Sequence, residues 1–169
     1  MPADDIYVIN GFYASMRSKY TSPGSSIYYF SVSWAAADLS WADFRSRVLG
    51  ATDPATAEGG SMRSNILKEW ESLGLASEPN VGDNGVHGSA SPFEGLAEKM
   101  NWLEVDPTKD AFGASVLAAG MDEATLKKWT KDPVVAYDVA GAKGSLFDAL
   151  EDMDVADCSA KLAELSGFA

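Results

Sequence analysis

The chain has 169 residues, 46% of them hydrophobic, and a formal net charge of −12 at pH 7, which is enough chain for one ordinary core and too little for two. That charge disfavours nonspecific binding to nucleic acid or anionic lipid, because both depend on lysine and arginine displacing counterions. No apolar run approaches the roughly 20 residues of a bilayer span, and the lone cysteine, Cys158, excludes an internal disulfide or a cysteine-built metal site, so a soluble, intracellular protein with no membrane span is expected.

In chain order, IYVIN (6–10) reads as a short buried strand, and GFYASMRSKY (11–20) as a helix with Phe12, Met16 and Tyr20 at four-residue spacing. SIYYFSVSW (26–34) is rich in aromatic and β-branched residues and reads as the best strand. A helix begins at Ser40, where S-W-A-D has the spacing of a capping box, and runs to Gly50. After the Pro/Gly/Asp loop 52–61, the helical period returns over 62–75, with Gly74 as its stop. A polar loop (77–92) leads into a helix over 93–103 that puts Phe93, Leu96, Ala97 and Met100 on one face. Short helices follow over 106–119 and 121–131, the second started by Asp122. Next come a strand at 134–137, a turn at 140–144, a helix at 145–154 capped through S-L-F-D, and a closing helix.

Strand and helix alternate through the first hundred residues, which predicts a small α+β sheet with helices on it. Residues 1–103 form the expected domain, and 104–169 an acidic, mainly helical extension. The charge is uneven in the same sense. Residues 1–103 hold 7 basic and 12 acidic side chains, against 6 and 13 in 104–169, and every arginine lies in the first part. The tail is therefore expected to contribute nothing to an anion-binding cleft.

Two stretches carry chemistry. DNGVHGSAS (83–91) offers the chain's one imidazole, His87, among small residues, with Asn84 and Ser89 near enough to fix its tautomer. LGATDPATAEGGSMR (49–63) offers the Thr52 hydroxyl and the Arg63 cation. Phosphoryl transfer asks a protein mainly for positioned positive charge and an in-line nucleophile, and His87 with Arg63 supplies both in outline. Plainer readings stand beside these: a loop histidine, a surface arginine in an ion pair, and Thr52-Asp53-Pro54 as a turn or helix start.

The joint spacing resembles that of nucleoside diphosphate kinase. The matching residues run Leu49-Gly50-Ala51-Thr52-Asp53-Pro54-Ala55, Gly60-Ser61-Met62-Arg63 and Asn84-Gly85-Val86-His87-Gly88-Ser89, with Glu98 eleven positions past the histidine. The resemblance covers roughly residues 26–103. It implies a ferredoxin-like sheet with helices, shortened at the front, and His87 as the phosphorylated residue, oriented by Ser89 and Glu98. It also implies that Thr52 and Arg63 contact phosphate and that Asn84 lies on the ribose side, with ATP or another nucleoside triphosphate and Mg2+ as the ligand. Two departures matter. No Lys-Pro-Asp occurs, and a second family arginine falls on Ser46, between Arg45 and Arg47. A one-residue offset on an α-helix turns a side chain by about 100°, so neither neighbour is an assured replacement. These departures favour a degenerate module that acts as a structural or docking subunit of a larger assembly. The alternative is an active kinase working through phospho-His87. If the strand at 26–34 lacks sheet neighbours, a protein partner or second copy is expected to cover its aromatics.

Overall fold

The computed structural model describes residues 11–136 and 142–166. The strand expected at 6–10 lies outside them, as do Tyr137 and part of the turn at 140–144.

The chain is mixed helix and sheet. Helix α1 (Gly11–Thr21) is followed by α2 (Trp41–Asp43), which passes directly into a π-helical turn, Phe44–Leu49. Next come α3 (Met62–Glu69), α4 (Pro92–Leu103), α5 (Ala111–Ala118) and α6 (Glu123–Trp129). Strands β1 (Val134–Ala136) and β2 (Lys143–Ser145) pair antiparallel with Val134 opposite Ser145. Helices α7 (Leu146–Ala149) and α8 (Val155–Ser166) close the described chain.

Capping chemistry sets most of the helix starts. The Ser40, Ser61, Ser91 and Ser145 hydroxyls accept from the backbone N–H three residues on, and the Asp122 carboxylate does the same for α6. At Ser40 and Ser145, the two capping-box positions read from the sequence, the serine hydroxyl makes its cap bond, accepting from the N–H of Asp43 and Asp148. The helix expected over 145–154 stops much earlier, at Ala149. There the chain turns through Asp152, whose φ of 60° is left-handed.

The strand expected at 26–34 does not form. Its β-rich residues run unpaired, with Tyr28 94% and Phe30 86% exposed. Aromatic and β-branched residues favour a strand only when a neighbouring backbone completes the ladder and a face is covered, and no such neighbour exists among the described residues. The only ladder there between named strands is the β1–β2 hairpin. Trp34 marks where the segment rejoins the body. Its ring stacks on Phe44 at 4.7 Å and lies 5.1 Å from Trp41, and its indole N–H donates to the Leu39 carbonyl at 2.8 Å.

The core does not respect the expected division at 103/104. Phe93 and Leu96 of α4 pack in one buried cluster with Val116, Met121, Leu126, Trp129, Leu146, Leu150, Cys158 and Leu162. The helices after residue 104 thus complete the hydrophobic face that α4 presents. Cys158 is a buried member of this cluster, and burial pushes its thiol up to about 12, which leaves it unreactive at neutral pH. Among the described residues no helix is long and apolar enough to cross a membrane.

Candidate functional site: a cleft around His87

The loop carrying His87 is held in place from several sides. Gly88 has no room for a side chain, because a Cβ there would run into the buried Leu49. Gly50 sits at a φ of 94°, and a Cβ there would run into Ser61 and Ala57, so an L side chain would be both strained and crowded. Arg63 joins the two loops. One terminal nitrogen donates to the Gly50 carbonyl at 2.6 Å and the other to the Val86 carbonyl at 3.0 Å. The Asn84 amide donates to the Thr52 carbonyl at 3.1 Å, and the Trp41 indole N–H to the Ser89 carbonyl at 2.8 Å.

Between these loops lies a cleft of about 740 Å³, within the roughly 300–1,000 Å³ range of small-molecule sites. Its walls include Thr52, Arg63, Asn84 and His87, so four of the six residues expected from the sequence face one space. The other two, Ser89 and Glu98, stand behind the imidazole. His87 Nε2 lies 2.5 Å from Glu98 Oε1, and the Ser89 hydroxyl donates to Glu98 Oε2, also at 2.5 Å. Glu98 can reach back to the loop because it lies one turn after Glu94 on α4, and Glu94 itself accepts from the Ala90 backbone N–H. With Nε2 committed to Glu98, Nδ1 is the ring nitrogen left for chemistry.

The electrostatics follow from these contacts. The Glu98 hydrogen bond raises the His87 pKa against the opposing effect of burial, with the Glu98 and Glu94 charges adding to the rise and Arg63 opposing it. Burial pushes the Glu98 carboxyl up, but the hydrogen bonds from His87 and Ser89 outweigh it and hold the group below its ordinary value. A raised histidine contributes stability that is complete below 6.5 and lost as pH rises through the raised value. A depressed carboxylate contributes stability present above 4.5 and lost as pH falls through the depressed value. The pair is therefore strongest between those two limits. Because His87 is the only histidine, its ring protons are an unambiguous NMR reporter. Wild-type protein should titrate above 6.5, and Glu98→Gln should move the midpoint down, since burial and Arg63 then act with less opposition. An unchanged midpoint would mean that the Glu98 contact does not exist in solution.

Several residues of the cleft lie beyond the six expected from the sequence. Arg45, which the sequence left as an unassured replacement for a family arginine, is the most instructive. The Gly50 N–H bonds back five residues to the Arg45 carbonyl at 3.1 Å, so the segment is a π-helical turn and the angular argument for an α-helix does not apply. Arg45 lines the cleft, whereas Arg47 is no wall of it and lies near Asp43 and Glu58, at 3.9 and 3.8 Å. Burial lowers the Arg63 pKa, and the positive charge of Arg45 adds to this, so two guanidinium groups share one space. Lys19 of α1 also lines the cleft and pairs with Asp83.

The expectation that 104–169 contributes nothing to the cleft is overturned. Glu151 and Asp152 line it, and both bond to Arg45 Nη1, at 2.8 and 2.6 Å. They arrive there because the helix starting at Leu146 ends early and the left-handed turn at Asp152 returns the chain to the His87 loop, the Asp152 N–H donating to the Ala90 carbonyl at 2.9 Å. Asp53 takes the plainer of its readings, accepting from the Ala55 N–H at 3.0 Å to cap the turn Pro54–Thr56. In comparisons with models of protein families, with curated proteins and with solved structures, nothing matches this chain.

Proposed function

We propose that this chain is a degenerate nucleoside diphosphate kinase-like module, a docking subunit whose cleft takes a phosphate-bearing ligand such as a nucleotide without turning it over efficiently. One observation carries the reading: each cationic side chain on the cleft wall already has a protein partner. Lys19 is paired with Asp83, Arg45 with Glu151 and Asp152, Arg63 with two carbonyl oxygens, and His87 with Glu98. A phosphoryl-transfer transition state needs positive charge free to meet its equatorial oxygens; here Lys19, Arg45 and His87 face carboxylates, and Arg63, which keeps its charge, has both terminal nitrogens tied to carbonyls. The raised His87 pKa acts in the same direction, because it shifts the ring toward its protonated form, which holds an anion but is no nucleophile.

The ferredoxin-like descent of the fold belongs to the same reading, supported by the gathering of Thr52, Arg63, Asn84 and His87 around one cleft with Ser89 and Glu98 behind. In this reading Mg2+ enters on the phosphates of the nucleotide, since among the described residues no group of three or more His, Cys, Asp or Glu side chains could hold it. The docking role draws on Tyr28, Tyr29 and Phe30, aromatics exposed on an unpaired segment, which a protein partner or second copy would cover. A second reading, an active kinase passing the γ-phosphoryl group through phospho-His87, is favoured by the Nε2–Glu98–Ser89 arrangement, which leaves Nδ1 to attack.

Incubation with γ-labelled ATP separates the two. Efficient transfer would leave acid-labile, base-stable phosphate on the wild type and none on His87→Ala; the docking module should show little or no label on either. Light scattering on the same sample should find an oligomer, or a monomer that joins a complex when native extract is added. Rapid labelling of His87 in a protein that stays monomeric in extract would replace the first reading with the second.

A further inference from the structure

The Arg45 pairing in the cleft differs in kind from those of Arg63 and His87. Arg63 is held by backbone carbonyls of the loops that build the cleft, and His87 by a residue of the helix beneath it. Arg45 is held by two carboxylates that come from more than a hundred residues away in sequence, on the turn that follows α7. Both carboxylates converge on one guanidinium nitrogen, at 2.8 and 2.6 Å, and both line the cleft. Each supplies an anionic oxygen to the guanidinium, the same kind of charged acceptor that a phosphate oxygen would be there.

The turn is fastened on both sides of the site. The Asp152 N–H donates to the Ala90 carbonyl beside the His87 loop, and Asp154 Oδ1 accepts from the Trp41 N–H at 2.7 Å. Asp152 adopts a left-handed φ of 60° to make this approach, a conformation that costs an L residue energy and persists only when its surroundings hold it. Neither carboxylate is buried; each side chain is 49% exposed. The pair can therefore leave Arg45 for water without stranding a charge in the interior.

We infer that Glu151 and Asp152 are an internal phosphate mimic, an autoinhibitory contact that occupies Arg45 and that a polyphosphate must displace in order to bind. This rests on the reading of the cleft as a phosphate site. It assigns the acidic tail a role in regulating the site: whatever draws the 151–154 turn away from Arg45 frees a guanidinium at the cleft and raises its affinity for anions.

Isothermal titration calorimetry on the full chain tests this, with inorganic tripolyphosphate and with ATP as separate probes. Glu151→Gln/Asp152→Asn keeps the shape of both side chains, and asparagine tolerates the left-handed backbone at 152. The double variant should bind both probes at least about tenfold tighter than the wild type, the size expected when a charge-assisted pair stops competing. Adding Arg45→Ala should abolish the gain. A gain for ATP alone would show that the site needs the nucleoside as well as the phosphates, and equal gains would show that the phosphates suffice. Should the double variant fail to fold, Glu151→Gln alone, which leaves the 152 turn intact, should still gain about threefold. Wild type and variants binding equally would overturn the autoinhibitory contact while leaving the phosphate site standing. No binding by any form would remove both.

Discussion

Replacing Phe93 with alanine is expected to destabilise the whole molecule by about 3–5 kcal/mol, the usual cost of removing a fully buried phenylalanine. The ring has no exposed surface, and it meets Phe147 edge-on at 6.2 Å. Around it lie residues from α4, α5, α6, α7 and α8, so the cavity would open where the front of the chain and its tail share one interior. The loss is a large part of the roughly 5–15 kcal/mol that holds a domain folded. Urea unfolding followed by tryptophan fluorescence and far-UV dichroism should give one transition for the wild type and one, shifted, for Phe93→Ala. Two transitions, only one of them moved by the substitution, would mean that residues 104–169 fold around a core of their own.

Arg63→Met should have the largest effect on the cleft itself. The methionine keeps most of the aliphatic volume but leaves the Gly50 and Val86 carbonyls without their donor. Hydrogen bonds to a charged group contribute about 1.5–3 kcal/mol each. Some of that returns through water at a half-buried site, so a loss of about 2–3 kcal/mol is expected. The two loops it ties carry Thr52 and His87, and a positive charge that acts on the imidazole goes with it, so tripolyphosphate binding should weaken by more than about tenfold. Arg63→Lys separates charge from geometry. A lysine keeps the cation but cannot fork across two carbonyls, so it should recover part of the anion binding and little of the stability. Equal binding by all three proteins would place the anion elsewhere.

Much of the site was legible in the sequence because it is built from short-range signals. The Asn84, His87 and Ser89 spacing fixes a loop, the serine before Pro92 caps the helix that follows, and Glu98 falls one turn beyond Glu94 on the same helix, where it can reach back. Caps and helix periods depend on neighbours a few positions away, and the sequence states them directly. The core face of α4 was legible for the same reason: Phe93, Leu96 and Ala97 repeat at helical period and are buried together.

What the sequence could not state was which distant segments meet. Residues 26–34 have the composition of a strand, but pairing needs a second backbone, and composition carries no information on whether one is there. α-Helical angles leave Arg45 unassigned, and the π-helical turn over Phe44–Leu49 puts it on the cleft wall. Glu151 and Asp152 fall in the helix expected over 145–154, and the early end of α7 with the left-handed turn at Asp152 set them on Arg45 instead. The local sequence determined most helix starts and their caps, because those depend on contacts a few residues long. Only the tertiary structure decided which charges share the cleft and that front and tail share one core, because both depend on contacts across more than a hundred residues or between whole helical faces, which no local pattern encodes.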